Sequence, residues 1–230
     1  ALIGIIGIGN HSRRTLIPAF KKAGANLHTL VAKNGLYPTY FGNKFGFKFA
    51  SSNLDELLKN KECNSFVIST RHDSHFSLLK KAIENKKHVY LEKPLCLTRK
   101  QLNEIKKIYD GSSILMLGYN RRFSPLVKVL KEKLTGISGP KSFIYTINSG
   151  FIPLEHWTQD PLIGGGRLLG EACHFLDLIR YLVSSPIKSA TLKSICPNNI
   201  YSDTFSIHVQ FDDNSICLLY TSDAADDVIS

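Results

Sequence analysis

Apolar positions in the first half of the chain fall in two kinds of block. Short apolar runs occur at Leu2–Gly7, Leu27–Val31, Ser65–Ser69, His88–Leu91 and Ile114–Gly118, the length of buried strands. Between them Thr15–Lys22, Leu54–Lys59, Ser74–Asn85 and Arg99–Tyr109 space their apolar residues as helices do, the last three with lysine-rich polar faces. Strands separated by helices predict a parallel, doubly wound sheet, since a parallel pair needs a crossover that an amphipathic helix supplies.

Past Gly118 the rhythm changes. Helices are predicted at Pro125–Leu134 and Leu168–Val183 and strands at Lys141–Asn148, Ser189–Ile195 and Phe205–Phe211, with an irregular stretch reaching Gly166. These strands alternate only partly, as in an open sheet with one face on helices and the other available for contact. The expected architecture is α/β: a Rossmann-type doubly wound domain over residues 1–118, then a truncated α+β open-sheet domain for substrate and oligomerisation over 119–216. No internal repeat is evident.

Both ends carry their own expectations. The first residue is not Met and a strand begins at once, so the natural polypeptide is expected to start earlier. Asp213-Asn214-Ser215 reads as a hairpin turn into a strand returning from Ile216. Cys217–Asp227, CLLYTSDAADD, resembles the conceptual translation of the transposase adapter used in sequencing libraries, which makes 217–230 a candidate non-native tail. The alternative is a real strand followed by an acidic tail.

Composition narrows the classes. With 230 residues, 43% hydrophobic and 21% charged, the chain is neither disordered nor low-complexity. No apolar run approaches the roughly 18 residues of a membrane helix and the start lacks a basic leader, so a cytoplasmic protein with no membrane partner is expected. Cys63, Cys96, Cys173, Cys196 and Cys217 are odd in number and widely spread, and the histidines form no H-x-x-x-H or H-E-x-x-H, so neither disulfides nor a metal site is expected. The net charge of +10 comes mostly from lysines scattered along helices, without an aromatic platform. Attraction of an anionic small molecule or a cofactor phosphate accounts for it equally well, and no nucleic-acid partner is expected.

Between the first strand and the first helix lies Gly7-Ile8-Gly9-Asn10-His11-Ser12, a G-x-G-x-x-G loop with Ser in the third glycine's place. Gly7 permits the turn, Gly9 lets backbone approach a pyrophosphate, and the helix start offers N–H groups to the anion, with Ser12 able to cap it. Gly7, Gly9, Asn10, His11 and Ser12 are therefore candidate dinucleotide contacts. After the second strand, Val31-Ala32-Lys33-Asn34-Gly35 lacks the carboxylate that selects NAD and supplies a cation, so Lys33 and Asn34 favour NADP over NAD. The alternative is a solvated loop lysine. In the helix Leu168–Val183, Glu171, His174 and Asp177 follow at i,i+3 spacing, a plausible carboxylate–imidazole proton relay or a half-buried histidine bonded to Glu171.

The chain resembles the glucose–fructose oxidoreductase / inositol dehydrogenase (Gfo/Idh/MocA) family over nearly its whole length to Ile216. The resemblance is carried by the Gly7/Gly9 loop, Thr70-Arg71-His72-Asp73-Ser74-His75, Glu92-Lys93-Pro94, Gly118-Tyr119-Asn120-Arg121-Arg122-Phe123, and Gly164-Gly165-Gly166 leading to His174. It looks most like the oxidoreductase portion of bacterial two-part proteins in which another dehydrogenase-like domain comes first. The resemblance implies a nicotinamide cofactor, NADP or NAD, and oxidation or reduction of a hydroxyl or keto carbon on a sugar, nucleotide-sugar or cyclitol. It also implies a homo-oligomer in the full-length parent.

By the same resemblance Lys93 lies beside the nicotinamide and the reacting oxygen, with Glu92 orienting its loop. His174 handles the proton and Glu171 tunes it. Thr70 and His75 line the cofactor, Arg71 replaces a frequent proline, and Asn120 and Arg122 open the second domain where cofactor or substrate is met. Trp157 is a stacking or packing residue. The chain departs from the family pattern four residues before His174, where an aspartate is usual and Gly170 stands; Glu171 is rotated from it by roughly 100° around a helix. That shift keeps a non-catalytic dinucleotide sensor or scaffold as the alternative function.

Overall fold

The computed structural model describes residues 1–33, 36–150, 152–195 and 204–222. The chain divides into two compact units, Ala1–Gly118 and Tyr119–Ser230. In the first, β1 (Leu2–Ile6) leads through a π-helical turn, Ser12–Leu16, into α1 (Ile17–Lys22). There follow β2 (Asn26–Val31), α2 (Leu36–Phe45), β3 (Phe49–Ser51), α3 (Leu54–Lys59), β4 (Ser65–Ile68), α4 (His72–Glu84), β5 (His88–Leu91), α5 (Arg99–Ile108) and β6 (Leu115–Leu117). The six strands are parallel in the order β3-β2-β1-β4-β5-β6.

Strand order reverses between β1 and β4, so the loops leaving their carboxyl ends diverge and open the crevice in which doubly wound sheets bind ligands. Both sheet faces are covered, which is why the strands read as continuous apolar runs. Ile3 and Ile5 pack with Leu16, Ile17, Leu30 and Phe41 on one face. Ile6 packs with Leu57, Phe66, Ile68, Leu79, Val89 and Ile105 on the other. The period of two along β1 thus splits its side chains between two cores.

The strand and helix positions expected from periodicity match the observed ones to within a few residues, with two additions, α2 and β3. Helix α5 is fixed at its start by a reciprocal cap: Gln101 N donates to Thr98 Oγ1 at 3.2 Å, and Thr98 N donates to Gln101 Oε1 at 3.2 Å.

The second unit begins with a 3₁₀ turn, Asn120–Phe123, and α6 (Pro125–Thr135), then β7 (Ser142–Asn148). A π-helical turn, Leu168–Ala172, runs into α7 (Cys173–Val183), and β8 (Ile187–Ser194), β9 (Phe205–Phe211) and β10 (Ile216–Ser222) follow. The sheet order is β7-β10-β9-β8, with β7 and β10 parallel and the other pairs antiparallel. Phe175, Leu178, Ile179 and Leu182 of α7 pack against Ile147, Phe205, Ile207, Val209, Phe211, Cys217 and Leu219.

The segment singled out as a tail from Cys217 is, through Ser222, an inner strand of this sheet. Its alternation sends Cys217, Leu219 and Thr221 into the core at 2%, 0% and 0% exposure, and burial pushes the Cys217 thiol up to about 11. Residues 223–230 lie outside the described residues, as do Asn34 and Cys196. Among the described residues no helix is long and apolar enough to cross a membrane.

Candidate functional site

Three loops leave neighbouring strands of the first unit at their carboxyl ends: Gly7–Ser12 after β1, Ser69–Arg71 after β4 and Glu92–Pro94 after β5. Gly7 N donates to Val31 O at 2.9 Å, tying the first loop to β2. At φ +102°, with a Cβ position 2.3 Å from the Ser69 carbonyl oxygen, Gly7 has no room for any other residue. Gly9 is different: a Cβ there meets nothing within 4 Å. The fold does not explain that glycine, whereas a diphosphate drawn against the backbone does. The residues present therefore fit a dinucleotide.

Ser12 does not cap the helix. It is fully buried, and its hydroxyl donates to the Gly7 carbonyl at 3.0 Å, which closes the loop on itself. The correction has a geometric reason: helical winding already includes Ser12, so its side chain points back to the strand instead of along the free N–H groups. Asn10 is exposed and its side-chain oxygen accepts from Arg13 Nη2. Lys33 is exposed just beyond β2.

His11 reaches the third loop, with Nε2 3.3 Å from Glu92 Oε1. The same carboxylate oxygen accepts from the Tyr90 hydroxyl at 3.0 Å. Burial first, and then Glu92, push the Tyr90 phenol far above its ordinary pKa, so it stays a donor. Glu92 is thus held from both sides next to Lys93, which is half-buried. Tyr90 went unnoticed in the sequence because a tyrosine in a strand run reads as core; its position two before a carboxylate, on the same strand face, was the available signal.

Thr70 and His75 are less alike than expected. Thr70 is half-buried, its hydroxyl accepting from Ser74 Oγ at 2.6 Å, and Arg71 is exposed at the start of α4. His75 is at 0% exposure, with Nδ1 2.7 Å from Pro94 O and Nε2 3.1 Å from Thr70 O. Both ring nitrogens of this enclosed side chain thus face backbone carbonyls. Burial pulls the imidazole below its ordinary pKa, opposed by the two carbonyl contacts and Glu92.

In the second unit His174 is the second residue of α7, and the Tyr119 ring meets its imidazole edge-on, centroids 6.0 Å apart at 77°. Burial pushes the Tyr119 phenol up, and the Cys173 thiol and Asp177 act in the same direction. The two carboxylates flanking His174 each accept from an arginine. Glu171, expected to tune the imidazole, receives Arg167 Nη1 at 3.2 Å, while Arg167 Nη2 donates to Gly150 O at 2.6 Å. The π-helical turn places Arg167 and Glu171 side by side, and Arg167's side chain is fully enclosed.

Asp177 takes the fork of Arg122, whose Nε donates to Oδ2 at 2.6 Å and whose Nη2 donates to Oδ1. Arg122, expected where cofactor or substrate is met, thus also holds α7, and Asn120 is exposed on the 3₁₀ turn. Asp177 is 9% exposed and Arg122 32%, so Asp177→Asn is expected to cost about 2 kcal/mol by leaving the guanidinium without its bidentate partner. A urea midpoint unchanged from wild type would contradict this. Among the described residues no group of three or more His, Cys, Asp or Glu side chains could hold a metal ion.

The glycine loop, the doubly wound sheet and the Glu92-Lys93-Pro94 loop define a dinucleotide-binding oxidoreductase class. The chain belongs to the Gfo/Idh/MocA family: residues 1–119 match the model described as "Oxidoreductase family, NAD-binding Rossmann fold". It is 28% identical over 205 residues to "Oxidoreductase cns1" of Cordyceps militaris, covering 85% of this chain and 25% of that protein. It is 27% identical over 149 residues to myo-inositol 2-dehydrogenase of Thermotoga maritima, covering 63% of this chain and 43% of that one. A levoglucosan dehydrogenase solved with NADH and levoglucosan shares the fold at a TM-score of 0.82 and 21% identity, over 98% of this chain and 68% of that one. The chain thus spans a quarter to under half the length of these two curated relatives.

Proposed function

We propose that the chain is the cofactor-binding and proton-handling part of an NAD(P)-dependent oxidoreductase acting on a CH–OH or keto carbon of a sugar, nucleotide-sugar or cyclitol. The observation that carries this reading is Gly9, a glycine with open space above it where a dinucleotide's diphosphate belongs. Relatives named for myo-inositol and levoglucosan support the substrate class. The unit from Tyr119 is proposed to hold substrate and to form the homo-oligomer of the full-length parent. The outer face of its sheet carries Ile144, Ile216, Leu218 and Tyr220, all exposed.

The nicotinamide, when bound, supplies the hydride acceptor or donor. Lys93 donates a hydrogen bond to the substrate oxygen as negative charge grows on it. Tyr90 and His11, both on Glu92, keep the loop carrying that amine in place. His174 takes the hydroxyl proton in oxidation and returns it in reduction, since imidazole titrates close to neutral pH. The Tyr119 ring restrains the plane of that imidazole. Lys33, in a Val31–Gly35 sequence that contains no carboxylate, favours a 2′-phosphate and hence NADP.

Fluorescence titration of NADPH and NADH into the chain tests the reading. NADPH is expected to bind more tightly, and Lys33→Asp to weaken NADPH about tenfold, the worth of one charge-assisted hydrogen bond. Failure of both cofactors to bind removes the assignment. The carboxylate's shift from position 170 to Glu171, which holds Arg167, favours a second reading, a non-catalytic sensor. Tight NADPH binding with no turnover on any sugar, nucleotide-sugar or cyclitol would select it.

A further inference from the structure

The Pro94 carbonyl, the next peptide oxygen after Lys93, rests on a buried imidazole. His75 sits in the first turn of α4, beneath the loops that leave β4 and β5, with Nδ1 2.7 Å from Pro94 O and Nε2 3.1 Å from Thr70 O. Strands β4 and β5 are adjacent, so one side chain bridges the ends of neighbouring strands. A neutral imidazole has a single N–H. Carried on Nδ1, it donates to Pro94 O, the shorter of the two contacts. The charged and titratable groups around the ring are Glu92 and Lys93 from the β5 loop and His72 from α4, its ring 5.7 Å away. A carbonyl buried at 2.7 Å from a fixed donor is costly to move, because any shift of the loop leaves it without that bond.

We infer that His75 is a positioning residue for Lys93: by donating from Nδ1 to the Pro94 carbonyl it fixes the backbone from which the Lys93 amine extends toward the nicotinamide end of the cofactor. The inference rests on the proposed function and adds to it a specific division of labour. His75 touches neither cofactor nor substrate, and the Pro94 contact, not the Thr70 contact, carries the effect. The Glu92 carboxylate, held by Tyr90 and His11, restrains one side of Lys93, and His75 restrains the other.

Asparagine and glutamine separate the two contacts. In His75→Asn the amide nitrogen falls near the place of Nδ1, and in His75→Gln near that of Nε2. Each variant, with His75→Ala, is titrated with NADPH and with 2′-phospho-ADP-ribose, which lacks the nicotinamide, at a temperature below every variant's melting transition. The expected result is NADPH affinity within about twofold of wild type for Asn, and a loss of about fivefold for Gln and Ala, below the limit set by removing the Lys93 amine itself. The nicotinamide-free analogue should bind all three variants as it binds wild type. A merely structural role would weaken both ligands together, and that outcome overturns the inference. So does rescue by Gln and not by Asn, or unchanged NADPH affinity in all three. If wild type binds neither ligand, the redox assignment itself has failed; if wild type binds both and only the variant pattern differs, the assignment stands and the role of His75 falls.

Discussion

Replacing Lys93 by Met is expected to lower the turnover rate by about 10²–10³ while cofactor affinity changes by less than tenfold. The magnitude is that of removing one preorganised donor from an oxygen that gains charge only in the transition state. Met keeps the aliphatic stem, so the Glu92–Pro94 loop retains its packing and its bonds to Tyr90, His11 and His75. Arginine should not rescue, because a planar fork on a longer stem cannot place one proton where the ammonium did. Single-turnover rates against an accepted sugar or cyclitol, with NADPH titrations alongside, make the measurement. A variant within tenfold of wild type would remove Lys93 from the chemistry. If affinity collapses along with rate, the residue holds cofactor and nothing more.

The two glycines of the first loop should respond in opposite ways. Gly7→Ala forces a side chain into a left-handed backbone, φ +102°, and onto the Ser69 carbonyl, whose oxygen is 2.3 Å from the Cβ position. Strain of this kind costs about 3 kcal/mol or more and lowers the melting temperature by roughly 6–12 °C in a chain of this size. Gly9→Ala meets no protein atom within 4 Å. Its melting temperature should match that of wild type within about 1 °C, while NADPH affinity falls about a hundredfold, because the methyl occupies space reserved for the diphosphate. Differential scanning fluorimetry and cofactor titration on the same samples decide both. Normal NADPH binding by Gly9→Ala would refute the placement of the dinucleotide.

Local pattern carried much of the first unit. β1 and β5 read as apolar runs, and α4 and α5 as amphipathic helices, because both faces of the sheet are covered and each crossover shows one polar side to water. Helix α2 was not legible. Its segment, LYPTYFGNKF, contains Pro38 and Gly42, which read as breakers. Pro38 is tolerated because it lies in the first turn, where an amide hydrogen has no helical acceptor. Gly42 is compatible with the helix because a Cβ there would come 3.0 Å from Ala50 Cβ on β3, a contact no local rule can foresee.

The candidate site divides along the same line. The glycine loop was visible because its chemistry lies in consecutive residues, and Glu92-Lys93-Pro94 only through the family resemblance. The partners of the charged groups were not. Arg122 and Asp177 are 55 residues apart, and His75 and Pro94 are 19 apart. The i,i+3 spacing of Glu171 and His174 was read on regular helical winding, and the π-helical turn through Ala172 has no local sequence signal.

By itself, the sequence determined the alternation of strand and helix and the glycine loop between the first strand and helix, since backbone sterics and hydrophobic period act over a few residues. The tertiary structure alone decided that Arg122 holds Asp177, that Arg167 holds Glu171, and that His75 is buried between the Pro94 and Thr70 carbonyls. Those outcomes depend on burial and on distances between segments remote in the chain, and a charged or polar group withdrawn from water takes whichever partner the fold brings within reach.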